Sequence, residues 1–278
     1  YNYSQIGKIS GHFIDNYAEN KQGISSAQGG AIHNAVAGSN IGEISAEFVG
    51  NYATSAGGAA SGGAIWNAGV SSLNNSTFSN NSVVGAADTT TDGGAIWNSG
   101  TVRFVGTNTF SGNTSSTGTV LSKNDIYNSG TINISDNSVL SISGGITGMN
   151  GTLVVGDDAT LQLNDATISG NSVTMSDGAT LSMLLHSNKA GLPIDGNVIL
   201  NGNSNLNLSV LFDGGTSGVQ SYAISKSIDT TNGDWTLGAI TNALYDISAT
   251  LTDARNVVEL SYERKSVSDI ASSLNIDN

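Results

Sequence analysis

At 278 residues, 38% of them apolar and only 11% charged, with 36 Gly and one Pro, the chain does not have the composition of a disordered polymer. Its 22 acidic and 9 basic residues leave a net charge of −13, which opposes nucleic acid and anionic lipid as partners. Zero cysteines exclude disulfides and Cys-ligated metals, and no apolar run approaches the roughly 18 residues that a membrane helix requires.

Self-similarity organises the first half of the chain. The string Gly-Gly-Ala-Ile-aromatic-Asn stands at 29–34 (GGAIHN), 62–67 (GGAIWN) and 93–98 (GGAIWN), with a degenerate copy at 123–128 (KNDIYN). The steps are 33, 31 and 30 residues. A second string, Phe-x-x-Asn, alternates with it at 13–16, 48–51, 78–81 and 110–113. After about residue 130 the period shortens. SDNSVLSI, GDDATLQL, SDGATLSM and NGNSNLNL place Leu140, Leu161, Leu181 and Leu206 at steps of 21, 20 and 25 residues.

Such spacing predicts an all-β right-handed parallel β-helix, in which each coil buries its apolar residues against the coils above and below. The solenoid is expected over 1–221, with GGAI/FxxN coils to about 130 and shorter DxATLxL-type coils after it. The extra length of the early coils is assigned to loops such as 85–92 and 114–122. From 222 the pattern fades and aromatics gather (Tyr222, Trp235, Tyr245, Tyr262), so 222–265 reads as a C-terminal cap over the open end. Ser266, with Asp269 three residues on, opens a capping box for a linker helix over 266–278. Nine or ten coils about 4.8 Å apart make a rod on the order of 45 Å.

Equivalent residues of successive coils should stack. Ile32, Ile65, Ile96 and Ile126 form one expected buried column, and Phe13, Phe48, Phe78 and Phe110 another. Asn34, Asn67, Asn98 and Asn128, and separately Asn16, Asn51, Asn81 and Asn113, are expected to form amide ladders at the corners. Leu161 and Leu163 should face inward, and Thr160 and Gln162 outward.

The alternation of GGAI and FxxN resembles the passenger domains of the polymorphic outer-membrane proteins first described in chlamydiae, within the bacterial type V autotransporters. The DxATLxL coils are similar to the stem of many such passengers, and RNVVELSYERK at 255–265 looks like the strand that closes one. The resemblance implies export through a Gram-negative envelope, display at the cell surface, and adhesion to a host-cell surface protein or glycan or to another copy of the chain. Membrane contact is then expected only through a C-terminal barrel outside this sequence. A cysteine-free chain suits passage through a narrow pore.

Catalytic signatures are sparse. His12, His33 and His186 have no metal-ligand spacing, and no nucleophile elbow, Walker loop, dinucleotide fingerprint or EF-hand occurs, so neither metal nor cofactor is expected. Glu43 and Glu47 lie about 13 Å apart by strand rise, too far for the carboxylate pair of a glycosidase. Asp157 and Asp158 read as a turn, and Asp88 and Asp92 share a loop without a calcium-site pattern. One outward column remains as a candidate binding surface: His33, Trp66, Trp97 and Tyr127, each following an inward Ile. It competes with a plain reading in which the rings only stabilise one another. The leading expectation is a non-catalytic adhesin or self-association rod. The alternatives are a polysaccharide-binding or polysaccharide-degrading β-helix enzyme, and an inert stalk.

Overall fold

The computed structural model describes residues 1–278 except 88, 188–191, 213–217, 241–243, 253–255, 267 and 270–278. The chain is a parallel β-helix, built on one large parallel sheet that winds through successive coils. Right-twisted strands joined by parallel crossovers take the right-handed sense. One wall shows the winding. Gln5–Ile14, Asn40–Val49, Val70–Asn74, Thr101–Val105, Thr131–Ile134, Gly151–Val155, Asn171–Met175, Ile194–Leu200 and Ser225–Asp229 pair in parallel, each with the next, giving nine rungs among the described residues.

Register turns sequence equivalence into contact. Ile32, Ile65, Ile96 and Ile126 are directly paired, and the column runs on through Ile146, Ile168 and Ile194, all buried. The phenylalanine rings stack almost parallel. Their centroids are 4.9 Å apart for Phe13–Phe48, 4.7 Å for Phe48–Phe78 and 4.5 Å for Phe78–Phe110. Leu140, Leu161, Leu181 and Leu206 pair in the same way, and Leu163 is buried while Thr160 and Gln162 are half-exposed. These columns form one continuous apolar core. Gly-Gly is required at the corner before the isoleucine of the complete motif copies. Gly62 has φ +63°, and a Cβ on Gly63 would lie 2.1 Å from the Gly94 carbonyl oxygen of the coil below.

Much of the extra length of the early coils is strand, which corrects the assignment of 114–122 to a loop. Tyr17–Asn20, Tyr52–Ser55, Ser82–Gly85 and Thr114–Thr117 form a parallel lateral sheet. Val120–Lys123 folds back antiparallel on Thr114–Thr117 and ends it. Ala27–Gln28, Ala60–Ser61 and Thr91–Asp92 make a second, narrow sheet. Between them lies a small core of Ala27, Ala53, Ala60 and Val83. In the region 85–92, Gly85 and Thr91–Asp92 belong to these strands, 86, 87, 89 and 90 form the expected loop, and residue 88 lies outside the described residues. The rod is therefore wide for its first four coils and narrow below.

The two ends differ. Parallel coils continue to Asp234–Leu237, while Gly218–Ala223, Tyr245–Thr252 and Val257–Arg264 form an antiparallel sheet over the C-terminal end. Coil and cap thus interleave around residue 222. Tyr222, Trp235, Val258, Leu260 and Tyr262 are buried there. Past the cap, Ser266 Oγ accepts the Asp269 backbone N–H at 3.2 Å, as a capping box requires; of the expected helix positions, Val267, Ile270, Ala271 and Leu274 lie outside the described residues. At the other end Ile6, Ile9 and Phe13 are only half-buried, where their partners Ile41, Ile44 and Phe48 are fully enclosed. That edge strand carries Lys8 paired with Glu43 (2.9 Å), His12 with Glu47 (2.8 Å) and Gly11 at φ +118°, features that discourage further strand pairing.

Phe78 is 1% exposed and has a ring stacked on each face. Phe78→Ala is expected to cost about 3–5 kcal/mol in urea unfolding. Outward Ser79→Ala, next to it, should stay within about 0.5 kcal/mol of wild type.

Candidate functional site

The outward aromatic column forms as one continuous stack. His33 meets Trp66 edge-on at 4.5 Å, Trp66 lies parallel to Trp97 at 4.8 Å, and Trp97 parallel to Tyr127 at 5.9 Å. Tyr1 covers the far side of His33 at 4.4 Å. All four column residues are half-buried. The ring faces of Trp66 and Trp97 lie against neighbouring rings, so the column offers ring edges to solvent. His33 Nδ1 and Trp66 Nε1 are buried with no hydrogen-bond partner. Burial, with the terminal ammonium of Tyr1 second, pushes the His33 imidazole down to about 4. Burial, helped by the Asp92 carboxylate, raises the Tyr127 hydroxyl, and burial raises Asp92 itself.

Both asparagine ladders are continuous. In the first, Asn34 Nδ2 donates to Asn67 Oδ1 (2.7 Å), Asn67 to Asn98 (2.8 Å) and Asn98 to Asn128 (2.7 Å). Asn2 joins above, and Asn128 reaches past the Gly148–Gly151 corner to Asn171 below at 2.8 Å. In the second, Asn16, Asn51, Asn81 and Asn113 are linked at 2.8–2.9 Å. Each amide of this ladder from Asn51 on also donates to the phenylalanine carbonyl one coil up, as Asn81 Nδ2 does to Phe48 O at 3.0 Å.

The second ladder ends on a residue that motif reading passed over. Asp125 stands where the complete motif copies have Ala31, Ala64 and Ala95. The coil below has no asparagine to receive Asn113, and the Asp125 carboxylate takes that place. Its Oδ1 accepts Asn113 Nδ2 at 2.8 Å, while Oδ2 accepts the backbone N–H groups of Ser143 and Gly144. Burial raises its pKa, against the opposing effect of these donors. The signal was available in the string KNDI, where an acid replaces the alanine before isoleucine.

Two further outward columns carry no charge beyond Glu47 at the head of one of them. Glu47, Thr77, Thr109, Ser141, Gln162, Ser182 and Asn207 lie in one register line, with Thr107, Val139, Thr160, Thr180, Asn205 and Thr236 beside it. Asp157 and Asp158 sit in an exposed turn. His186 lies 3.2 Å from Asp165 at the rim of a small apolar cavity closed by Tyr222, far along the chain from the other histidines. Among the described residues no group of three or more His, Cys, Asp or Glu is placed to hold a metal ion. At 114–122 the folded-back hairpin leaves Val120 and Leu121 each 67% exposed.

No protein-family model matches the chain, and no curated protein or solved structure matches it.

Two measurements probe these networks. Asp125→Ala leaves one buried and two part-buried N–H donors without their acceptor and is expected to cost about 3 kcal/mol or more in chemical unfolding. His33 titrates lower in the folded chain (about 4) than its ordinary 6.5, so its contribution to stability is complete above pH 6.5 and is lost as pH falls through the folded value. The melting temperature of His33→Phe should accordingly fall less than that of wild type between pH 7 and pH 4.

Proposed function

We propose that this chain is the surface-displayed passenger of a Gram-negative type V autotransporter, acting as a non-catalytic adhesive rod. Its partner is a host-cell surface protein or glycan, or a second copy of the chain, met along the sides of the rod. The observation that carries this reading is the pair of parallel columns from Thr77 to Asn207 and from Thr107 to Thr236. Apart from Val139 they present hydroxyls and amides, on strands whose inward residues Leu140, Leu161, Leu181 and Leu206 are fully buried. Such a face offers many polar contacts without ordering long side chains, so little conformational entropy is lost on contact. Alternating GGAI and FxxN strings and the absence of cysteine support the export route.

The test is a host-matrix and glycan array together with sedimentation at increasing concentration, for wild type and a Thr109→Arg, Ser141→Arg, Ser182→Arg variant. Selective binding or concentration-dependent association that the arginines abolish supports the reading. A strictly monomeric chain that binds nothing overturns it in favour of a stalk, and consumption of a polysaccharide overturns it in favour of an enzyme.

A further inference from the structure

Two outward columns change character at the same level of the rod. The line through Trp66, Trp97 and Tyr127 continues as Thr147, and further down as Ser169 and Asp195. The neighbouring line through Asn98 and Asn128 continues as Gly148, and Gly170 and Gly196 follow Ser169 and Asp195 on the coils below. The lateral sheet also stops there, at the hairpin ending with Lys123. The rings and the lateral strands end together, the asparagine ladder skips this corner to reach Asn171, and a groove of about 530 Å³ opens on the narrow coils.

Bare peptide forms the groove floor. A Cβ on Gly148 would lie 1.9 Å from the Asn128 carbonyl oxygen, on Gly170 2.0 Å from that of Gly148, and on Gly196 2.1 Å from that of Asn171. Three successive coils therefore exclude side chains from the floor. The walls differ in chemistry. On one side stands Met149, 69% exposed, whose thioether chain suits the C–H face of a sugar ring. Across from it the Asp195 carboxylate and Lys226 ammonium, 2.5 Å apart, set an acceptor beside a donor. Asn197 extends this wall. Its Oδ1 accepts Ser227 Oγ at 2.8 Å, and its Nδ2 is left to donate outward.

We infer that this groove binds a neutral oligosaccharide lying along the rod axis, with one pyranose unit per coil. Coils about 4.8 Å apart repeat at close to the length of one sugar in an extended chain. Vicinal hydroxyls match an adjacent acceptor and donor, and the volume lies in the range of small-ligand sites. The groove's own charges cancel while the whole chain carries −13, which disfavours acidic glycans. This inference rests on the adhesive reading above and names a ligand class for it.

The experiment is a glycan array, followed by calorimetric titration with neutral oligosaccharides of graded length. The full chain is compared with Asp195→Asn, Lys226→Gln and with Trp66→Ala, Trp97→Ala, each variant checked for its melting temperature. Neutral glycans should be preferred over sialylated or uronic ones, with affinity rising up to about three units and then levelling. The groove variant should lose roughly tenfold or more in affinity, and the tryptophan variant should bind as wild type does. Neutral glycans bound equally well by the groove variant, or lost only in the tryptophan variant, would overturn the groove and leave the adhesive reading intact. Binding confined to proteins or to a second copy has the same meaning. A chain that binds nothing overturns both.

Discussion

Residues in the coils of this rod pack against their own counterparts one coil away, because parallel strands in register repeat at about 4.8 Å. That spacing selects side chains able to sit on copies of themselves. Flat rings can, as Phe48 and Phe78 do at 4.7 Å and 4°. Carboxamides can, because each carries both a donor and an acceptor, so Asn51, Asn81 and Asn113 hand a hydrogen bond from coil to coil. Charged residues of one sign cannot, which accounts for a chain only 11% charged. The Asn-rich, Gly-rich composition follows from one geometric condition, and so does burial of so many amides without orphaned groups along the ladders.

The same condition makes any break in a column costly unless something closes it. Asp125 is the clearest instance: the second ladder runs out of asparagines, and a carboxylate placed in an alanine position accepts the last amide together with two backbone N–H groups. Asn171 is another, since it reaches across a corner emptied by Gly148 and Gly151 to receive Asn128. The lateral sheet is closed by a chain reversal, with Val120–Lys123 covering the edge of Thr114–Thr117. All three closures fall at the level where the wide coils give way to narrow ones, so this junction is a built feature of the fold.

Much of the architecture was legible because stacking writes itself into sequence as period. GGAI and FxxN identified the isoleucine, phenylalanine and asparagine columns residue by residue, and the leucine steps identified the narrow coils. The lateral strands were not legible. Ser82–Gly85 and Thr114–Thr117 are four-residue stretches of Ser, Thr, Val and Gly that bury almost nothing large, and their pairing partners lie some 30 residues away. The groove was equally hidden, since Gly148, Gly170 and Gly196 read as ordinary corner glycines until the coils bring them into one line. The aromatic column was found by motif, but the direction of its ring faces follows only from the interplanar angles of 4° and 6°.

Those angles bear on where such a rod can recognise anything. A ring stacked on both faces has already used the surface that a sugar or an apolar side chain would cover, and its remaining edge offers little area. Regular columns therefore favour stability and flatness, while specific shape requires irregularity. Along this chain the polar columns keep one regular register, and the junction below Tyr127, where the rings stop and the glycines begin, is a concave feature. A solenoid that binds selectively must vary its repeat somewhere, and here the variation is concentrated within a few coils around residue 130.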